Sequence, residues 1–415
     1  MVREHLVRSR TVSVVVILFF LCIIFAYATG FWLLFRLAYV LLVAVPLSYF
    51  WTKFNVNKLE VTVERLVDRA QVGQYAEERI TLENPGLLPR IWLEVEDPSP
   101  LPEHHQGRVI TLGGKTRRTW RTRTLLTRRG VYPVGPVTVS SGDPFGLFRA
   151  SRTYGQAASI IVYPGFIDLP HFTVPPANLP GEGRFRKRTH YVTPNAAGVR
   201  DYEYGDSMSR IDWKSTARLN KLMVKMFELD PASDIWIAMD LQASMQAGSG
   251  DESTEEYAVK IAASVARFFL NANRNVGYMA FGDRLDIIEG ERGGQQMTHI
   301  LEALALSRAV GDVPIGDLLN VEGRHFGRHT TLVVITPSMD QSWVMSLLTL
   351  SQRGVKVAVV LLEASTFGGA ENSLMVVSSL AAADIWTYLV KQGDDLSNAL
   401  APTSESAETG SSALG

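Results

Sequence analysis

The chain of 415 residues carries one cysteine, Cys22. A single thiol builds neither a disulfide framework nor a thiolate zinc site. No surplus of one charge exists either, because 41 Lys and Arg stand against 42 Asp and Glu. That balance gives no general attraction to nucleic acid. A phosphate-binding loop is also missing. Gly113-Gly-Lys-Thr116 looks like the end of one, but its first glycine would fall at Val109. Its setting is strand to strand rather than strand to helix, so nucleotide binding is not expected. The histidines offer no ligand set. His104 and His105 are adjacent, and His325 and His329 are flanked by Gly323 and Gly327, which argue against a stable helix there.

Long apolar runs, by contrast, are present. Thr11 to Ala28 has no charge, and Phe31 to Trp51 has only Arg36, near its start. A helix needs about 20 residues to cross a bilayer core of roughly 30 Å. The link at Thr29-Gly30 is too short for a domain, so residues 11–51 are expected to form a transmembrane helical hairpin. Arg36 is close enough to that link to reach the interface. Arg3, Arg8 and Arg10 precede the pair, and Lys53 and Lys58 follow it. Positive outer flanks place residues 1–10 and everything after Trp51 in the cytoplasm, with the protein in the cell (inner) membrane. A rival reading takes the basic start, the apolar run and Ala26-Tyr-Ala28 as a cleaved signal peptide. It too leaves the region after Trp51 in the cytoplasm.

From residue 56 to 163 short alternating runs replace the helical pattern. Leu59–Glu64, Arg79–Glu83 and Ile91–Glu96 alternate, with turns at Asn84-Pro-Gly86 and Ser141-Gly-Asp-Pro144. Such punctuation predicts an antiparallel, sandwich-like β domain. Between Arg108 and Arg129 lie eight basic residues. Thr and Arg partly alternate there, as on a solvated sheet face. Arg117, Arg118, Arg121, Arg123, Arg128 and Arg129 are also candidates for contact with anionic headgroups.

Residues 164–221 form a Pro-, Gly- and base-rich linker followed by a dense run. That run is Gly198-Val-Arg-Asp-Tyr-Glu-Tyr-Gly-Asp206, then Arg210-Ile-Asp-Trp-Lys-Ser-Thr-Ala-Arg218. Asp206 is expected to cap a short helix reaching about Leu219, with Arg210 beside Lys214 and Trp213 beside Ala217. Strand-like sequence resumes at Leu222–Phe227. Beyond it, apolar strands at 234–240, 276–281, 285–288, 330–336, 355–362 and 385–390 alternate with helices at 255–272, 297–309, 343–352 and 394–399. That order specifies a mostly parallel sheet covered on both faces over residues 222–400. Residues 401–415 read as a disordered tail.

The dense run, followed by the strand ending at Asp240 and by Leu241-Gln-Ala-Ser244, resembles the domain of unknown function 58 family. Asp143-Pro-Phe-Gly-Leu-Phe148 fits that layout. The resemblance implies an α/β von Willebrand factor type A-like domain at the carboxyl end. In such domains an Asp, two Ser hydroxyls, a Thr and a second Asp hold a divalent cation at the strand ends. This chain keeps Asp240 and Ser244, has Gln242 at the first Ser and Pro337 at the second Asp, and offers Thr298 as a loose candidate for the Thr. Asp340 is a possible substitute for the lost carboxylate. The remnant leaves Mg2+ a weak possibility, and no cofactor is expected.

The resemblance further implies a partner, a MoxR-type AAA+ ATPase or its client. The expected function is that of a non-enzymatic membrane-anchored adaptor in the maturation or remodelling of envelope proteins. Arg200, Tyr202, Gly205, Asp206, Arg210, Asp212, Trp213 and Arg218 are its candidate partner-binding residues. Their alternative role is an internal ion-pair lattice. The competing function is a structural scaffold in a cell-envelope or wall-synthesis complex without an ATPase. Enzyme chemistry is not expected, because the dense run has no His or Cys to serve as base or nucleophile.

Overall fold

The structure is a computed structural model describing residues 4–8, 10–102, 107–174, 196–202, 208, 211–227, 234–370 and 372–402. Most of the linker, the tail from residue 403, the His104-His105 pair and Gly205, Asp206 and Arg210 lie outside the described residues. The chain divides into two compact units, Met1–Gly165 with Leu301–Leu306, and Phe166–Ile300 with Ser307–Gly415.

In the first unit two apolar helices, Arg10–Thr29 and Trp32–Val56, pack as a hairpin. Both are long and apolar enough to cross a membrane. Gly30 turns the chain with φ +67°, a left-handed conformation that suits glycine. Arg36 stacks over the Trp32 ring at 4.1 Å, back toward this turn.

The second helix runs past the expected end at Trp51 to Val56. Its last turns carry buried Ser48, Thr52 and Asn55, one stripe at helical spacing. Asn55 Nδ2 donates to the Ile91 carbonyl and to Ser141 Oγ, both at 3.2 Å. Asn55 therefore ties the helix end to the β strands, while Thr52 Oγ1 donates back within the helix to the Ser48 carbonyl at 2.8 Å. Ahead of the hairpin, Glu4–Arg8 forms a strand that pairs antiparallel with Phe148–Tyr154. The sequence shows no such strand, since five residues are too few for an alternation signal. Its pairing brings both outer ends of the hairpin to one sheet.

That sheet has the order Glu4–Arg8, Phe148–Tyr154, Val137–Gly142, Arg90–Glu96, Gly107–Leu112. A second runs Glu60–Arg65, Tyr75–Asn84, Thr116–Leu125. Ile80 and Leu82 from the second, with Leu59 just ahead of it, share a core with Leu93, Val95, Ile110, Val137 and Val139 from the first. Two sheets meeting through alternate residues give the sandwich-like packing expected. A third, small sheet includes one parallel pair, Arg69–Gln71 with Ala158–Tyr163.

The basic run lies mainly on the edge strand Thr116–Leu125. Arg117, Arg118, Arg121, Arg123 and Arg128 are exposed, whereas Arg129 is only 2% exposed and leaves the surface set. Cross-strand acids temper the charge. Arg117 faces Glu83, and Arg123 meets Glu77 at 2.7 Å.

In the second unit six strands form one sheet in the order Leu285–Glu291, Val276–Phe281, Asp234–Met239, Thr330–Thr336, Lys356–Leu362, Trp386–Val390. All pairs are parallel except the antiparallel edge at Leu285–Glu291. Helices Ile315–Glu322, Ser342–Gln352 and Leu374–Ala382 bury Leu319, Trp343, Leu347 and Leu380 against Leu332, Val334, Val359 and Leu361. Helix Thr254–Asn271 also packs on the sheet and buries Ala258, Ile261, Ala262 and Val265. Ser253 caps it by accepting from the Glu256 N–H at 3.3 Å.

Candidate functional site

Parallel α/β sheets bind ligands beyond the carboxyl ends of their strands. Here the central strand Asp234–Met239 ends in Asp240, beside the end of Thr330–Thr336. The Asp240 amide donates to the Ile335 carbonyl at 2.9 Å, extending the ladder by one residue. The carboxylate is 2% exposed. Oδ2 accepts from Thr336 Oγ1 at 2.6 Å, and Oδ1 accepts from the Gln242 amide at 3.0 Å. Burial pushes its pKa above the usual aspartate value, and those two hydrogen bonds oppose the rise.

The following loop is fixed by its own amides. Gln242 Nε2 donates to Ser244 Oγ at 3.0 Å. Gln246 Nε2 donates to the Asp240 carbonyl at 3.1 Å, while its Oε1 accepts from Thr254 Oγ1 at 2.7 Å. Gln242 also bridges to Gly311, where an added Cβ would come within 2.4 Å of the Phe281 carbonyl. Only glycine fits that approach.

Asp240, Gln242 and Ser244 are thus brought together, as the sequence suggests. The hydroxyl that joins them is Thr336, not Thr298. Thr298 sits on a helix tied by Gln296 to the Val276 carbonyl, at the amino ends of the parallel strands, and its hydroxyl is spent on the Gly294 carbonyl. Asp340 is engaged with Ser342, whose hydroxyl and amide hold its carboxyl below the usual range. Asp240 is the one carboxylate bonded within this cluster, and no group of three His, Cys, Asp or Glu suited to a metal occurs among the described residues. The donor set does not fit a divalent cage, which wants several oxygen ligands.

Glu363 is a residue the sequence reading missed. It is 7% exposed and follows the apolar strand Lys356–Leu362. It accepts from Ser365 Oγ at 2.8 Å, from the Ser373 amide at 3.0 Å and from Ser373 Oγ. An acid directly after six apolar residues was the available signal.

The dense run folds differently from expectation. Ala196–Asp201, a strand the sequence did not reveal, pairs antiparallel with Met223–Phe227, which lies within the expected strand Leu222–Phe227. Of this stretch, the side chain of Arg200 lies outside the described residues. The helix between the strands is only Trp213–Leu219, and its cap is Asp212, which accepts from the Lys214 amide and from Ser215 Oγ. The expected Arg210–Lys214 pair rests on Arg210, which lies outside the described residues. Asn220 closes the helix in the left-handed conformation, φ 51°. Thr216 Oγ1 accepts from the Met223 amide, and Tyr202 N–H donates to the Leu222 carbonyl. The ribbon is thus clamped, yet the helix buries none of its residues. Trp213 is 67% exposed, Tyr202 is half-buried, Arg218 is exposed, and Asp201 meets Lys221 at 3.6 Å on the surface.

Comparison with known proteins supports a family likeness. The family "Protein of unknown function DUF58" matches residues 198–367, which include both the ribbon and the Asp240 loop. The uncharacterized protein YeaD of Bacillus subtilis is 24% identical over 287 residues, covering 67% of this chain and 70% of YeaD. The uncharacterized protein Rv1480 of Mycobacterium tuberculosis is 25% identical over 169 residues, and the chain spans 53% of its length. Among solved structures, the Deinococcus radiodurans RO (RSR) protein aligns over 41% of this chain and 34% of its own, at 16% identity and a TM-score of 0.26. The CARDB domain of PF1109 from Pyrococcus furiosus aligns over 25% of this chain and 93% of its own, at 14% identity and a TM-score of 0.19. Likeness at that level carries no argument about fold or activity.

Proposed function

We propose that this protein is a non-enzymatic, membrane-anchored adaptor that uses its ribbon and helix to hold a protein partner. The observation behind this reading is the Trp213–Leu219 helix. It is capped at Asp212, tied to the strand behind it at Thr216, and still leaves Trp213 67% exposed. A large aromatic on a rigid, uncovered element is the usual anchor of a protein interface. The resemblance of the run to the domain of unknown function 58 family nominates a MoxR-type AAA+ ATPase, or its client, as that partner. The type A-like reading of the α/β unit rests on the same resemblance and on the position of Asp240 and Ser244 at the strand ends.

The anchor is the helical hairpin, with the globular units in the cytoplasm. Two things support this orientation. Basic residues flank the outer ends of the hairpin, and the Glu4–Arg8 strand shares a sheet with Phe148–Tyr154. Cleavage after Ala28 would strip that edge strand from its sheet, which favours a retained hairpin. Affinity capture of full-length protein from crosslinked membranes, with and without ATP, tests the adaptor reading. An enriched AAA+ ATPase supports it. Capture of wall-synthesis proteins with no ATPase transfers support to the scaffold reading, for which the exposed arginines of Thr116–Leu125 would provide the lipid-facing edge.

A further inference from the structure

The helix Trp32–Val56 has 25 residues and rises roughly 37 Å, more than the roughly 30 Å of a bilayer core. The excess puts its last turn, which carries Lys53, at the level of the headgroups when the helix stands upright. There, within the first unit, lies a cavity of about 550 Å3 between the helix end and the loop that precedes the Arg90–Glu96 strand. Among the described residues three cations line it, Lys53, Lys58 and Arg90, and no acidic side chain does. Asn57 and Gly86 also line it, and the remaining wall is apolar. Phe50 is 66% exposed, Leu87 78% and Leu88 60%, and Phe54 shares the rim.

Arg90 is the unusual member. It is 4% exposed, with its guanidinium 3.6 Å from the centre of the Phe54 ring and Nη1 donating to the Phe54 carbonyl. Its Nε has no hydrogen-bond partner among the described residues. Burial lowers its pKa. Lys58 adds its ammonium from a left-handed backbone, φ 57°, directly after the helix.

The loop opposite is built rigid. Asn84 is fully buried, and its Nδ2 donates to the Leu88 and Gly113 carbonyls at 2.9 and 2.8 Å. The Lys115 amide donates to the Gly86 carbonyl at 2.8 Å. A Cβ on Gly114 would fall 1.9 Å from the Leu87 carbonyl. Gly113-Gly-Lys-Thr116, which resembles a nucleotide loop, is thus a strand-to-strand turn that braces Leu87 and Leu88 outward.

We propose that this cavity seats the phosphate headgroup of an anionic phospholipid. Lys53, Lys58 and Arg90 surround the phosphate through charge-assisted hydrogen bonds. Phe50, Phe54, Leu87 and Leu88 lie against the first acyl carbons. Inorganic phosphate would engage the same cations but has no use for the apolar rim, and it is the rim that commits the site to lipid. The proposal rests on the membrane-anchor reading.

Native mass spectrometry of full-length protein, extracted in mild detergent from vesicles of equal phosphatidylglycerol and phosphatidylcholine, tests it. Wild type should retain phosphatidylglycerol selectively, and millimolar inorganic phosphate should not displace it. The Lys53→Gln/Lys58→Gln variant, altered only at exposed positions, should lose that retention about ten-fold or more. The Arg117→Gln/Arg121→Gln variant, on the basic edge strand, should keep it. Equal retention of the two lipids, displacement by phosphate, or equal loss in both variants would overturn the proposal. Carbonate extraction of the same vesicles separates the two readings. Protein that stays in the membrane without headgroup preference sinks the seat alone, and protein released by carbonate sinks the anchor and the seat together.

Discussion

Thr336 donates its hydroxyl hydrogen to the buried carboxylate of Asp240 across 2.6 Å, where two neighbouring parallel strands end. Removing that hydroxyl while keeping the shape leaves a buried acceptor without its partner. Thr336→Val should therefore cost about 1–3 kcal/mol of stability. Thermal or denaturant unfolding of the full-length protein in detergent measures it. An unchanged midpoint would show that the bond contributes nothing.

Asp240 also links stability to pH. Burial raises its pKa in the folded state, so that state holds the proton more tightly than the unfolded chain does. Stability then falls as pH rises from the ordinary aspartate value through the raised one. Asp240→Asn has no such proton to lose. Its stability relative to wild type should climb across that window and level off above it. Parallel melting curves for the two proteins at every pH would contradict the account.

Glu363 behaves in the opposite sense. Burial alone would raise its pKa, but hydrogen bonds from Ser373 and Ser365 outweigh burial and hold it below the usual value. Its stabilising contribution is present above the unfolded pKa and disappears as pH falls through the folded one. Glu363→Gln should lose about 1–3 kcal/mol near neutral pH. That deficit should shrink in acid, and a deficit constant with pH would argue against the assignment.

Gly114 and Lys115 give a paired test of the false nucleotide motif. Gly114→Ala drives a Cβ into the Leu87 carbonyl and should destabilise by about 1–3 kcal/mol. Lys115→Ala, at an exposed side chain, should stay within about 0.5 kcal/mol. ATP should shift the melting of neither variant nor of wild type. An ATP-dependent shift that vanishes in Lys115→Ala would restore the nucleotide reading.

How much of this was legible beforehand varies by element, for physical reasons. The apolar helices and the parallel strands are written in long unbroken runs, which buried elements require. Helix Leu374–Ala382 escaped notice because Leu-Met-Val-Val-Ser-Ser-Leu-Ala-Ala has no polar face to set a period. Helix Ile315–Glu322 escaped because it is only eight residues long and starts after Pro314. The second apolar helix extends past Trp51 because Ser48, Thr52 and Asn55, a polar boundary in sequence, are buried in the structure, with Asn55 bonded to the β region. In the site, Asp240, Gln242 and Ser244 are adjacent in sequence and were read together. Thr336 joins Asp240 only through strand order, which no local pattern encodes. The cap was misplaced from Asp212 to Asp206 because both acids precede the same short helix.

The adaptor account depends most on Trp213. Trp213→Ala removes an exposed side chain and should leave stability within about 0.5 kcal/mol. The deciding measurement is crosslinked capture by full-length wild type and Trp213→Ala, in parallel, from native membranes with and without ATP. The account predicts an AAA+ ATPase enriched by wild type and reduced about ten-fold or more by the variant, the loss expected of an interface anchor. A variant that captures the ATPase as well as wild type, or a wild type that captures none, would contradict it.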